Sequence, residues 1–211
     1  MRLKIGILAT IVAIVLWAAF TCAAEELSMP DPGLQLKSFL DKMATHLKSE
    51  AFSRGKKTGQ YRGTVAVASE GIDFREMSRR VLGKQWETLT SEQQGRFVDL
   101  FSKLLKYTYI KKITQDADKK VEIKRQRIRG RRAEVKTMVT DQGGIKPVAY
   151  RMILKNRKWM IYDIIVEGIS LVHNYGEQMR GILRDKQIAG LLTMLSQKVN
   201  KLEVRQRRGQ S

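Results

Sequence analysis

Few side chains in this chain are suited to running a reaction. It has two histidines and one cysteine. His46 and His173 each stand without a Cys, Asp or Glu at ligand spacing, so the residues propose no metal site. His173 falls in the first turn of a helix and reads as an ordinary surface or packed imidazole. There is no G-x-S-x-G elbow, no phosphate-binding loop and no dinucleotide fingerprint. Two carboxylate pairs have the right chemistry for acid–base work, Asp116 with Asp118 and Asp163 with Glu167. The first pair sits at a helix end, where solvated charges are routine. Asp163 and Glu167 share one strand face with Ile165 between them, and Asp163 reads as a hydrogen-bonded structural carboxylate. No enzyme, no metal and no cofactor are expected.

Cations are the abundant chemistry. Forty Lys and Arg face 21 Asp and Glu, a formal net charge of +19. Such a balance points to anionic partners: nucleic acid, acidic proteins or anionic head groups. The densest run is Lys124 to Arg132, with Arg125, Arg127, Arg129, Arg131 and Arg132 near the tip of a hairpin. It reads as a docking patch for an acidic partner or an anionic membrane surface, where each cation contributes about 1 kcal/mol. A merely solubilising face is the other reading of the same residues.

The N-terminus bears on which anions the chain meets. Arg2 and Lys4 precede an apolar run from Ile5 to Phe20, and the small residues Cys22, Ala23 and Ala24 follow. That is the layout of a secretory signal peptide over residues 1–24, cleaved after Ala24. An uncleaved anchor is the alternative, although the run is at the short end for spanning a bilayer. Cys22 suits a lipidation site poorly, because Thr21 and Phe20 precede it. Cleavage after Ala24 removes the lone cysteine and leaves a chain without disulfide chemistry. Export argues against nucleic acid as the ligand.

Periodicity supplies the elements that position these residues. Residues 25–33 read as a linker and 205–211 as a basic disordered tail, and one domain, the linker included, covers 25–204. Leu36, Phe39, Leu40, Met43 and Leu47 recur at three to four, an amphipathic helix from Leu34. Residues 53–63 read as a loop, and 64–68 as a short ambiguous apolar run. Asp73 opens a second helix, with Glu76 returning the capping bond and Gly83 as its stop. Thr90 and Gln93 open a long third helix reaching about Ile113. After Asp118 the apolar period falls to two. Val121–Ile123, Ala133–Val139, Val148–Leu154 and Met160–Val166 then read as four antiparallel strands joined by Gly and Asn turns. In the last of them, Met160, Tyr162, Ile164 and Val166 share a face. Ser170 caps a further helix, and Ile188 to Val199 form the last. The order of elements gives an α+β fold, with a four-stranded antiparallel twisted sheet packed against helices.

Two blocks of residues carry a family resemblance. The first runs from Asp73 to Gly83, then Trp86, Thr90 to Gln94, Arg96, Phe97, Phe101, Leu104, Leu105, Thr108 and Tyr109. The second runs from Trp159 to Val172, then Asn174, Tyr175, Gln178, Leu191 and Leu192. Their order and spacing resemble the MlaC, or toluene-tolerance, family from about Leu34 to Lys201. The resemblance implies a periplasmic phospholipid-binding protein with no catalytic residues, whose bound lipid is cargo. It implies partners in an outer-membrane lipoprotein complex and in the substrate-binding subunit of an inner-membrane ABC transporter. It also implies a cone like that of nuclear transport factor two, with a helical subdomain and an apolar cavity for the lipid tails. Gly176 departs from the arginine expected there in many relatives, and the high charge is a second departure.

Physics supports such a cavity. Burying a methylene is worth about 0.8 kcal/mol, so two long acyl chains carry on the order of 20 kcal/mol of unfavourable exposure. The cavity is expected between the concave sheet face and the helices. Its candidate lining is Met77, Val81, Phe97, Phe101, Leu104, Tyr150, Met152, Tyr162, Ile164, Val166, Val172 and Tyr175. The rival class is an exported basic adaptor that binds an acidic protein or a membrane surface without an internal ligand. An enzyme built on the same cone is a further rival, and it would need converging polar groups of which only Asp163 and tyrosines are candidates.

Overall fold

The computed structural model of the chain describes residues 29–52, 66–114, 120–141 and 144–208. The expected leader and its cleavage site, the loop 53–63 and the pair Asp116 and Asp118 lie outside them. The first helix, α1, spans Pro32–Phe52 and so begins two residues before the expected Leu34. A proline is pre-organised for a first helical turn, because its fixed φ is helical and its missing N–H would have gone unpaired. Residues 66–69 form a helical turn. Helix α2 spans Phe74–Leu82, with the Asp73 carboxylate accepting from the Glu76 N–H. Glu76 does not return that bond. Its carboxylate faces Arg79 and Arg80, while the Asp73 N–H donates to the carbonyl of Ile161. Gly83, at φ 56°, ends α2 and leads into a 3-10 turn over Gly83–Thr88. Helix α3, Ser91–Thr114, opens with the reciprocal pair expected: Thr90 N–H to Gln93 Oε1 at 3.0 Å and Gln93 N–H to Thr90 Oγ1 at 3.2 Å.

Five antiparallel strands follow in sequence order: β1 Lys120–Arg129, β2 Arg132–Asp141, β3 Gly144–Lys155, β4 Lys158–Val166 and β5 Ile169–Ser170. The expected four-stranded meander is present, with a two-residue fifth strand folded back on β4. Two bulges decide which side chains share a face. One lies at Lys124 and the other at Tyr162, where the register slips. Each adds a residue and reverses the alternation beyond it. The inner face of β4 is therefore Trp159, Ile161, Ile164 and Val166, each opposite an inward residue of β3. The expected set of Met160, Tyr162, Ile164 and Val166 was right only past the bulge. Glu167 does not share a strand face with Asp163; it lies in the turn after β4 at φ 51°.

Helix α4 covers Leu171–Arg208 and breaks at Gln187, φ 53°, into the two expected helices. It runs helical to Arg208, through most of the span read as a disordered tail. Its first turn is held by Ser170, whose hydroxyl accepts from the His173 N–H at 3.0 Å.

Two apolar clusters result. One joins α2, the 3-10 turn, α3 and α4 around Val81, Phe97, Phe101 and Leu191. The other joins the inner sheet face to α1 around Leu36, Val135, Met152, Trp159 and Ile161. Ile72 packs on both. Its segment adds a short parallel bridge to β4, in which the Ile161 N–H donates to the Gly71 carbonyl. The two clusters are thus tied by backbone hydrogen bonds as well as by packing.

Candidate functional site

The inner sheet face is an extended apolar surface built from alternate residues of the strands. Its rows can be read from the register. Leu154 stands opposite Trp159, Met152 opposite Ile161, Tyr150 opposite Ile164, and Val148 opposite Val166. On the next strand Ala133 meets Met152, Val135 meets Tyr150 and Thr137 meets Val148. Val121 and Val139 complete the far row.

The two ends of this face differ. At the end near the β1–β2 turn, α1 is clamped down. The Gln35 side chain donates to the Trp159 carbonyl at 3.1 Å and accepts from the Trp159 N–H at 3.0 Å. The Gly33 N–H donates to Gln126 Oε1 at 2.9 Å. Beneath this clamp Leu36, Val135, Met152, Trp159 and Ile161 are at most 2% exposed, an ordinary solid core. At the other end Val121, Ile123, Val139, Ile164 and Val166 are only half-buried. The apolar face therefore runs on beyond its packed part into a tract that is neither closed core nor open surface.

One polar pair interrupts the face. The Thr137 hydroxyl donates to the Val148 carbonyl at 3.0 Å and is hydrogen-bonded to the Tyr150 phenol. Burial pushes the Tyr150 phenol up to about 12, against the smaller opposing effect of Thr137. The tyrosine stays neutral at physiological pH and presents its ring to the apolar face.

The twelve candidate lining residues do not form one group. Met77, Val81, Phe97, Phe101, Leu104 and Tyr175 lie in the helical cluster. There Phe97 stacks on Phe101 at 5.6 Å, and Tyr175 meets Phe101 edge-on at 5.3 Å. Tyr150, Met152, Ile164 and Val166 lie on the inner sheet face. Tyr162 lines a third place, a cleft of about 510 Å³ where α2, β4 and α4 meet, and Val172 lines that cleft while also packing on the helical cluster. The helical stripes gave no sign of which apolar face turns to the sheet and which to other helices. Val121, Ile123 and Val139, part of the half-buried tract, were missing from the expected lining. Their alternation marked them as strand residues, yet only the register places them beside Val166.

The cleft is polar. Arg79, Arg80, Arg151 and Arg180 line it with Asp163, Ser170 and His173. Asp163 is 2% exposed and accepts from Ser170 Oγ at 2.7 Å, the Val172 N–H at 3.1 Å and Arg151 at 3.3 Å. It is the structural carboxylate that the sequence suggested, fastening α4 to β4. Glu76 is likewise buried and takes three guanidinium bonds from Arg79 and Arg80. Its burial opposes the charge, but the bonds from Arg79 and the charges of Arg80, Arg79 and Lys155 hold its carboxyl below the usual range. Arg80 lies 3.9 Å over the Tyr162 ring. At Gly176 an added Cβ would sit 3.2 Å from the Val81 carbonyl, so glycine there lets α4 approach the end of α2. His173 is exposed. Among the described residues no group of His, Cys, Asp and Glu could hold a metal ion, and no helix is long and apolar enough to cross a membrane.

An antiparallel meander with one face apolar and half-closed by helices defines a class of α+β protein that covers a hydrophobic surface without burying all of it. The sequence model of the MlaC protein family matches residues 37–197, and the chain belongs to that family. It is 22% identical over 197 residues to the intermembrane phospholipid transport system binding protein MlaC of Haemophilus influenzae, covering 89% of this chain and 91% of that one. Its fold is similar to that of the phospholipid-binding protein from Ralstonia solanacearum, solved in complex with a phospholipid. The TM-score is 0.74 at 23% identity, over 82% of this chain and 99% of that one.

Proposed function

We propose that this chain is a periplasmic phospholipid carrier that holds acyl tails against the inner sheet face. The carrying observation is the half-buried tract of Val121, Ile123, Val139, Ile164 and Val166, continuous with a packed core but not filled by it. Exposed apolar area costs about 25 cal/mol per Å², so a tract of this kind gains by taking up hydrocarbon. The family and the phospholipid bound to the Ralstonia relative support the same cargo. The name of the Haemophilus relative supports a place in transport between membranes. We read the partners as an outer-membrane lipoprotein complex on one side and the substrate-binding subunit of an inner-membrane ABC transporter on the other. Carriage of this kind asks for no reaction, and the tails supply most of the affinity.

The test is native purification from an exporting bacterial host, followed by extraction and mass spectrometry of the bound lipid. Stoichiometric phospholipid is expected. Val166→Glu and Ile164→Glu should lower the lipid recovered several-fold while leaving the fold intact, because both side chains are half-buried. Phe101→Ala is the contrasting variant. It empties the helical core at a cost of about 3–5 kcal/mol and should lose lipid only where the protein unfolds. A wild-type protein that is reproducibly free of lipid refutes the carrier reading.

A further inference from the structure

The carrier reading leaves the outer face of the sheet unused. Past the bulge at Lys124, β1 turns Arg125, Arg127 and Arg129 outward, opposite Lys136, Glu134 and Arg132 of β2. Helices α2 and α4 pack against β4, and all five of these cations are exposed. Glu134 is the one acid among them in the register, and it is shared between Lys136 at 3.7 Å and Arg151 at 3.5 Å. In the neighbouring cleft three carboxylates offset all but one of the four arginines: Glu76 meets Arg79 and Arg80, Asp163 meets Arg151, and Glu177 meets Arg180. Most of the uncompensated positive charge therefore collects on β1 and β2 rather than in the cleft. Arg131, which the sequence grouped with the patch, has a different task. Its guanidinium donates to the Leu154 carbonyl at 3.1 and 2.9 Å and pins the hairpin tip to β3.

We propose that this outer β1–β2 face docks the protein on an anionic phospholipid bilayer. Alternate residues on a strand lie about 6.6–6.8 Å apart and adjacent strands about 4.8 Å apart, so the five cations form a dense two-row array. The rows of cations hold no aromatic side chain, and the one large apolar side chain on the same face of β2, Met138, lies beyond them, half-buried and opposite Pro147 of β3. Protein interfaces are anchored by such groups at a desolvated centre. A bilayer needs no anchor of that kind, because its anionic head groups move laterally and answer the summed charge. A basic edge strand also resists pairing with another chain, which favours a lipid surface over strand addition. The half-buried apolar tract lies on the opposite face, so docking leaves it uncovered. The inference deepens the carrier reading by giving the carrier a way to stay near its lipid source, but its charge argument stands without the cargo.

The test uses the protein purified from an exporting host and co-floated with two kinds of vesicle. One is phosphatidylcholine alone, and the other is phosphatidylcholine mixed with phosphatidylglycerol. Binding to the mixed vesicles at low salt is expected, with loss at high salt and none to neutral vesicles. Arg125→Glu/Arg127→Glu/Arg129→Glu should weaken it by about a hundredfold or more, since removing three cations alone accounts for about a hundredfold and the new carboxylates repel the head groups. Lys84→Glu/Arg96→Glu/Lys201→Glu changes the net charge equally on other surfaces and should retain most of the binding. Equal loss in both triple variants overturns the proposal, since net charge alone would then explain the binding. Undiminished binding in the first variant overturns it too. So does capture on polyglutamate beads that the first variant loses while its vesicle binding persists, which would indicate an acidic protein. Extracted lipid is measured on the same samples. A docking-defective variant that keeps its lipid supports two separate faces, and a lipid-free wild type that still docks refutes only the carrier reading.

Discussion

Asp163→Ala should be among the most destabilising single changes in the chain, because the residue fastens α4 to β4. The carboxylate is almost fully buried, and three donors converge on it. The bond to the Val172 N–H serves as a cap for α4, and losing a cap costs about 0.5–2 kcal/mol. The bond to Ser170 Oγ holds the short β5 strand against β4, and a bond to a charged acceptor is worth about 1.5–3 kcal/mol. Arg151 adds little to the sum, because its side chain is 45% exposed and it has Glu134 as a second partner; exposed pairs contribute at most about 1 kcal/mol. The expected loss is about 3–5 kcal/mol, the range for breaking a buried charged contact on one side. In a domain of this size 1 kcal/mol moves Tm by about 2–4 °C, so the drop should be about 6–20 °C. The assay is thermal unfolding followed by circular dichroism, with amide exchange at the first turn of α4 as a local readout. Asp163→Asn keeps an acceptor for the Val172 N–H and should lose roughly half as much. A Tm within about 2 °C of wild type for Asp163→Ala, less than a 1 kcal/mol loss, would show that α4 docks through packing alone.

Gly71→Ala places a Cβ 2.4–2.5 Å from the Phe39 ring. Overpacking of this kind costs about 1–3 kcal/mol, and relief by Phe39→Leu in the double variant, read by urea titration, would locate the clash. Glu76 should make the protein acid-sensitive. Its carboxyl is held below its unfolded value of 4.5, so its contribution is present above that pH and is lost as pH falls through the folded value. Tm measured from neutral pH down past about pH 4, the ordinary carboxylate range, should fall less steeply in Glu76→Gln than in wild type, from a lower starting point. Parallel curves would remove Glu76 as a cause.

Much of this molecule was determined locally. Capping at Asp73, Thr90 with Gln93, and Ser170 depends on side chains within three residues of each other, so spacing alone reveals it. The meander follows from an apolar period of two and from turns such as Asn156–Arg157, whose positive φ values suit a tight hairpin. The structural role of Asp163 could be argued from its place in an apolar strand. What the sequence could not supply was side-chain direction. A bulge adds one residue without a sequence mark, and those at Lys124 and Tyr162 exchanged inner for outer positions. The first sent Arg125, Arg127 and Arg129 to the outer face. The second placed Trp159 and Ile161, not Tyr162, on the inner one. Likewise an amphipathic stripe shows that a helix buries one side but not what covers it, so Phe97, Phe101 and Tyr175 could be assigned to the sheet face only until packing put them against other helices. Local chemistry decides which elements exist, because its interactions span a few residues. Only long-range register and packing decide which faces meet, and hence where the chain could lay a lipid tail.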